Sequence, residues 1–234
     1  MEREGKPEVT EIARALHDVR ARIDRAALAC GRRPEEVTLV AVSKKKSPEA
    51  IREAYAVGQR AFGESYAQEL AAKCEALADL ADIEWHFIGH VQTNKAKVVA
   101  AHAHVVHAVD SAVIAHELGK RVAAVSRPPL AVLIEVNVSG EAQKHGATGS
   151  EIADVMAAVR AESSLVLRGL MTMPPFGDPE AARKTFATLA SLRSLHGGAS
   201  ALPELSMGMS GDLEIAVACG ATMVRVGTAI FGER

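Results

Sequence analysis

The amino-acid sequence predicts an α/β protein: a single (β/α)8 TIM-type barrel with an extra N-terminal helix, spanning residues 1–234 as one domain. Three observations lead there. Eight short apolar runs recur along the chain, and segments with helical spacing lie between them. No Pro/Gly/Ser-rich linker, low-complexity tract or long charge run divides the 234 residues. Strict strand–helix alternation means parallel strands joined by crossovers, in a sheet that is either doubly wound or closed. Eight such units in this length fit a compact barrel, near the lower size limit for that fold.

The elements follow in order. Ile12, Leu16, Val19, Ile23 and Ala27 form an apolar stripe at helical spacing, stopped by Gly31, which predicts a helix over 8–31. The barrel then occupies 35–232. Its first strand, 37–42, is β-branched and apolar on both faces, as a strand buried on two sides must be. The other runs are 60–62, 84–88, 105–109, 131–138, 165–171, 204–207 and 223–226. Helical spacing marks 48–57, 66–80, 111–125, 150–161, 179–195 and 212–219, with 94–101 a shorter candidate. Only 227–234 follows the last strand, too little for a full eighth helix, so the N-terminal helix is expected to cover that gap.

Composition narrows the function. The chain is 48% hydrophobic and 24% charged, the profile of a globular protein with a real core. A formal net charge of −2 gives no electrostatic case for nucleic acid or an acidic membrane surface, and 3% aromatic content offers no base-stacking platform. Cys30, Cys74 and Cys219 are widely separated, which points to reduced thiols in a cytoplasmic protein. Residues 1–7 lack the apolar stretch of a signal peptide, and no window has the length of a membrane span.

In a barrel, chemistry gathers at the C-terminal ends of the strands. Lys44 closes the first apolar run and points into that region, where a depressed pKa supplies the free amine of Schiff-base chemistry. Its plainer reading is a solvated lysine, one of three in Lys44-Lys45-Lys46. The last two strand ends carry Ser206-Met207-Gly208-Met209-Ser210-Gly211-Asp212 and Met223-Val224-Arg225-Val226-Gly227-Thr228. The loops after strands seven and eight are the usual phosphate site of barrels, and Ser210 reads as the N-cap of the helix that follows. Arg225 inside an apolar strand needs hydrogen-bonding partners, either a neighbouring acid or a ligand in the barrel mouth. His86 alternates with apolar neighbours, as a core histidine also does, and the methionines are most simply gap-filling. His102, His104 and His107 lack a carboxylate or helical pairing, so they do not read as a metal site. A lysine and a phosphate site in one mouth suit two ligands: pyridoxal 5′-phosphate (PLP), or a phosphorylated sugar or keto acid handled by a Schiff-base lyase.

The motifs are specific enough to suggest a family. Ala41-Val42-Ser43-Lys44, Phe62-Gly63-Glu64-Ser65-Tyr66, Trp85-His86-Phe87-Ile88-Gly89 with Gln92 and Asn94-Lys95, Arg168-Gly169-Leu170-Met171, and the two segments around Ser210 and Thr228 occur in order. Together they resemble the pyridoxal phosphate homeostasis (YggS/PROSC) family over essentially the whole chain. The resemblance implies a barrel like the N-terminal domain of alanine racemase. It implies PLP held as an aldimine on Lys44, a phosphate cradle of Ser210, Gly227 and Thr228, and Arg225 against the pyridine nitrogen. The full cofactor-binding set expected is Lys44, Ser65, His86, Met207, Met209, Ser210, Arg225, Gly227 and Thr228. Ser65 departs from the family, which usually carries Asn there.

The function so implied is intracellular vitamin B6 homeostasis: holding PLP and buffering it or delivering it to PLP-dependent apo-enzymes, without strong catalysis. A racemase needs a second acid/base opposite the lysine, which alanine racemase takes from a separate C-terminal domain. The alternative is a weak racemase-like enzyme. A monomer or a homodimer is expected.

Overall fold

Strand β1 (Thr38–Val42) pairs in parallel with β2 (Ala61–Glu64) on one side and with β8 (Met223–Val226) on the other, so the sheet has no edge. Between them run β3 (Glu84–Phe87), β4 (Val105–Val109), β5 (Leu130–Glu135), β6 (Leu165–Met171) and β7 (Glu204–Ser206), closing an eight-stranded parallel barrel in chain order. The computed structural model describes residues 10–125, 127–140 and 145–233. The leader reading of 1–7, and the first two residues of the expected N-terminal helix, lie outside them.

The helices are α1 (Glu11–Ala29), α2 (Pro48–Ala56), α3 (Ala67–Ala76), α4 (Ala96–His102), α5 (Ala112–Ala123), α6 (Ile152–Ala161), α7 (Pro179–Leu195), α8 (Gly198–Ala201), α9 (Leu213–Ala218) and α10 (Thr228–Phe231). Each apolar run became a strand and each helical segment a helix, with ends shifted by a few residues. Three short elements carried no periodic signal: α8, α10 and a 3-10 turn at Pro34–Glu36. Single turns bury too little to impose a pattern.

Helix α1 starts where the Thr10 hydroxyl accepts from the Ala13 amide at 3.2 Å. Its face of Leu16, Val19, Ile23 and Ala27 is buried, with Ile12 at the margin. It packs against α2, α9 and α10, beside the one-turn α10 that follows the last strand. The gap left by a full eighth helix is thus covered.

Side chains alternate across each strand. Leu39, Ala41, Phe62, Val106, Ile134 and Val224 point outward into one continuous apolar layer between sheet and helices. The barrel interior is different. Val105, Ala108, Leu133 and Met171 form a small apolar plug there, and the remaining space holds buried polar groups.

Candidate functional site

Lys44 sits in the turn just past β1, half-buried, and its neighbours are pinned on both sides. The Ser43 hydroxyl donates to Glu64 Oε1 at 2.6 Å, and the Ser43 carbonyl accepts from Lys73 Nζ at 2.7 Å. Lys73 also pairs with Glu64 Oε1 at 2.7 Å and Glu69 Oε1 at 2.6 Å. Glu69 in turn accepts from the Lys45 amide. Lys45 adopts φ 60°, a strained value for a residue with a side chain. Lys46 Nζ donates to the carbonyls of Phe231, Gly232 and Glu233, tying the turn to the C-terminal segment. Three lysines adjacent in sequence therefore have three separate environments. Burial pushes the Glu64 carboxyl above its ordinary range, against the opposing pull of Lys73 and Ser43.

A cavity of about 530 Å3 opens at this C-terminal face of the barrel. Lys44, Ser65, Met209, Ser210, Arg225, Gly227 and Thr228 all line it, as do Met173 and Phe176 from the loop after β6. Phe176 is 99% exposed, so the rim on that side is open to solvent. Ser210 and Thr228 meet across the loops after β7 and β8: Thr228 Oγ1 donates to Ser210 Oγ at 3.2 Å, and the Ala229 amide lies 3.5 Å from the same oxygen. At Gly227 the backbone runs close to β1: a Cβ there would stand 3.1 Å from the Val42 carbonyl oxygen, a tight contact. Gly208, at φ +96°, turns the chain out of β7, where a Cβ would meet Ala216 Cβ at 2.5 Å.

Ser210 is not the helix cap the sequence suggested. Asp212 takes the N-cap position of α9, and its Oδ1 accepts from the Met209 amide at 2.6 Å. The loop closes on itself, which leaves the Ser210 hydroxyl to the cavity side.

Arg225 is 4% exposed and forms part of the cavity floor. Nη1 donates to Ser206 Oγ at 2.5 Å and Nη2 to the Thr172 carbonyl at 3.1 Å. Burial lowers its pKa to about 10, with Glu135 and Asp212 opposing, so it stays cationic at neutral pH. A buried chain runs on from it: Ser206 Oγ to His107 Nδ1 at 2.8 Å, His107 Nε2 to His86 Nδ1 at 2.8 Å, and His86 Nε2 to Glu84 Oε2 at 3.4 Å. Full burial, then the nearby His86 and Arg225, hold His107 well below the usual imidazole range. A neutral His107 donates through one ring nitrogen and accepts through the other, so it can bridge Ser206 and His86 in either tautomer.

The structure brings seven of the nine expected residues to one cavity. His86 and Met207 are not among its lining. His86 points into the barrel a layer below the mouth, onto His107. Met207 alternates with the inward Ser206 and packs in the outer apolar layer. Of the other histidines considered, His104 accepts from the Trp85 amide, and His107 joins the interior chain. Sequence reasoning missed Lys73, Ser206 and Glu135, each a polar residue within an apolar pattern, which was the available signal.

Glu135 ends β5, 5% exposed. Burial pushes its carboxyl up to about 7, Asp110 adds to the shift, and Arg225 opposes it. The folded state then holds a proton that the unfolded chain, near 4.5, has released, so stability falls as pH rises between these values. Glu135→Gln removes that dependence: denaturant titrations at pH 8 should find it more stable than the parent by on the order of 2–3 kcal/mol. Equal pH dependence in both proteins contradicts the assignment.

The alanine racemase N-terminal domain family matches residues 15–234. The Pyridoxal phosphate homeostasis protein of Pseudomonas aeruginosa is 47% identical over 228 residues, covering 97% of each chain. Its namesake in Escherichia coli K12 is 44% identical over 233 residues, covering 97% of this chain and 98% of that one. Among solved structures, PipY of Synechococcus elongatus with PLP bound superposes with a TM-score of 0.75 at 35% identity, over 90% of this chain and 100% of that one. Alanine racemase of Corynebacterium glutamicum shares the fold at 18% identity and a TM-score of 0.65, and this chain covers 61% of its length. The closed barrel accords with these matches, and the chain belongs to the alanine racemase N-terminal domain family, within the pyridoxal phosphate homeostasis proteins.

Proposed function

We propose that this barrel binds PLP reversibly, with Lys44 as covalent anchor, and serves as a carrier that buffers the cofactor or passes it to PLP-dependent apo-enzymes in the cytoplasm. One observation carries the reading: an amine, two hydroxyls beside a glycine turn, and a buried guanidinium line a single cavity. These donors match the aldehyde, the phosphate and the ring nitrogen of PLP. When bound, PLP supplies an aldehyde for condensation with an amine and a conjugated ring that absorbs visible light. The names of the curated relatives and the PLP-bound PipY support the same ligand.

In this reading each residue has a physical task. Ser210 and Thr228 turn their hydroxyls from each other to the phosphate, and Gly227 lets the backbone approach. Arg225, with two of its five N–H donors committed to Ser206 and Thr172, offers a permanent cation to the ring nitrogen and keeps a proton off it. An unprotonated ring is a poor electron sink, which argues against strong catalysis. The lining supports this: among its described residues there is no tyrosine or histidine, Asp178 is occupied by the Glu180 and Ala181 amides, and Asp212 by that of Met209. Tyr55 is bound to Asp82, and Tyr66 stands 49% exposed ahead of α3. The open rim at Phe176 suits exchange of the cofactor.

Replacing Ser210 or Thr228 by Ala should weaken PLP binding by about 1–3 kcal/mol each, the loss of a hydrogen bond to a charged group. Equilibrium titration followed by absorbance measures it, and full affinity in both variants overturns the cradle. Incubation of the PLP-loaded protein with D- and L-alanine tests the carrier reading. Turnover no faster than with free PLP is expected; faster turnover makes the protein an enzyme.

A further inference from the structure

Away from the lysine cavity, the loops after β3, β4 and β5 bring together His90, Asp110 and His145. One ligand-capable atom from each lies within 4.8 Å of the others. His90 Nδ1 is 3.2 Å from Asp110 Oδ2, and the two imidazole rings stack with centroids 3.8 Å apart and planes 14° from parallel. The Ser111 hydroxyl donates to Asp110 Oδ1 at 3.0 Å, which turns Oδ2 toward the histidines. Both histidines are exposed, so solutes reach them freely. None of the three lines the cavity around Lys44.

Positions 90, 110 and 145 share no local sequence pattern, and the side-by-side pairing of β3, β4 and β5 makes them neighbours. The neutral ring is the form that ligates a metal. Two imidazole nitrogens and one carboxylate oxygen are the donor set of borderline divalent ions such as Zn2+, Co2+ and Ni2+. Convergence on one ion needs the rings to turn out of this stack, because lone pairs in near-parallel planes do not meet at one point. Rotation of exposed rings about Cβ–Cγ is soft and fast, so convergence costs little.

We propose that His90, Asp110 and His145 form a binding site for a divalent transition metal ion, on the same face of the barrel as the Lys44 cavity and separate from it. Three protein ligands leave at least one coordination position for water or an anionic ligand. The site does not depend on the PLP reading.

The test is a Co2+ titration of the full-length, tag-free protein, read by visible d–d absorption and by calorimetry. One Co2+ per chain with d–d bands is expected. His145→Ala and Asp110→Asn should each lower the affinity more than about tenfold, since even outer partners of ligands cost that much. Unchanged PLP absorbance and circular dichroism show that the variants are folded. No d–d bands in the parent protein, or equal Co2+ affinity in a His90→Ala/His145→Ala double variant, overturns the proposal.

Discussion

In Lys44→Ala, the visible absorption band of lysine-bound PLP is expected to vanish, and borohydride reduction followed by mass spectrometry should find no cofactor attached. The effect is all-or-none because the covalent link needs an amine at this position. Lys44→Arg separates charge from chemistry: it restores a cation but not a nucleophile, since guanidinium stays protonated at any working pH. It should behave as the alanine variant does. Adduct mass on Lys45 or Lys46 in either variant sinks the assignment. The structure argues for position 44, because the Lys46 amine is held by three C-terminal carbonyls while Lys44 lines the cavity.

The second large effect is on stability. Lys73→Met should destabilise the fold by about 3–5 kcal/mol in denaturant titrations, because it strands the fully buried Glu64 carboxyl without its cation. The Glu64 Oε2 atom already has no hydrogen-bond partner among the described residues. Burial raises the Glu64 carboxyl even with Lys73 present, and removing the amine deletes an opposing influence. The variant's folded state therefore binds a proton more tightly than its unfolded state, and its deficit should be larger at pH 8 than at pH 5. Lys73→Met/Glu64→Gln should recover part of the loss. PLP binding should weaken too, since Ser43 loses the anchor on its carbonyl. A Lys73→Met deficit below about 1 kcal/mol, the scale of an exposed pair, means the triad does not hold the turn.

The fold was legible because its physics is periodic. A strand buried on both faces, like β1, must be apolar throughout, and a covering helix, like α1, must show a stripe every three to four residues. Those patterns survive in one dimension. The residues along the mouth were legible too, since strand ends in a barrel converge on one face, and Lys44, Arg225, Ser210 and Thr228 all stand at or near such ends. Met207 and His86 stand outside the cavity lining for a related reason. Nearness to a motif does not say which side of the strand a residue faces or how deep its layer lies, and alternation sends Met207 outward beside an inward Ser206.

By itself, then, the amino-acid sequence determined the barrel, the helix that closes it, and the lysine and hydroxyl positions that point to PLP. Tertiary structure alone decided what surrounds them. Ser206 and His107 are 99 positions apart and share a hydrogen bond; Lys73 lies 30 positions from the carbonyl it holds. His90, Asp110 and His145 meet only where three loops converge. The reason is one of range. Backbone periodicity is set by local geometry and so is written locally. A buried polar group must instead find its partner across the closed barrel, and nothing in either residue's neighbourhood names the other.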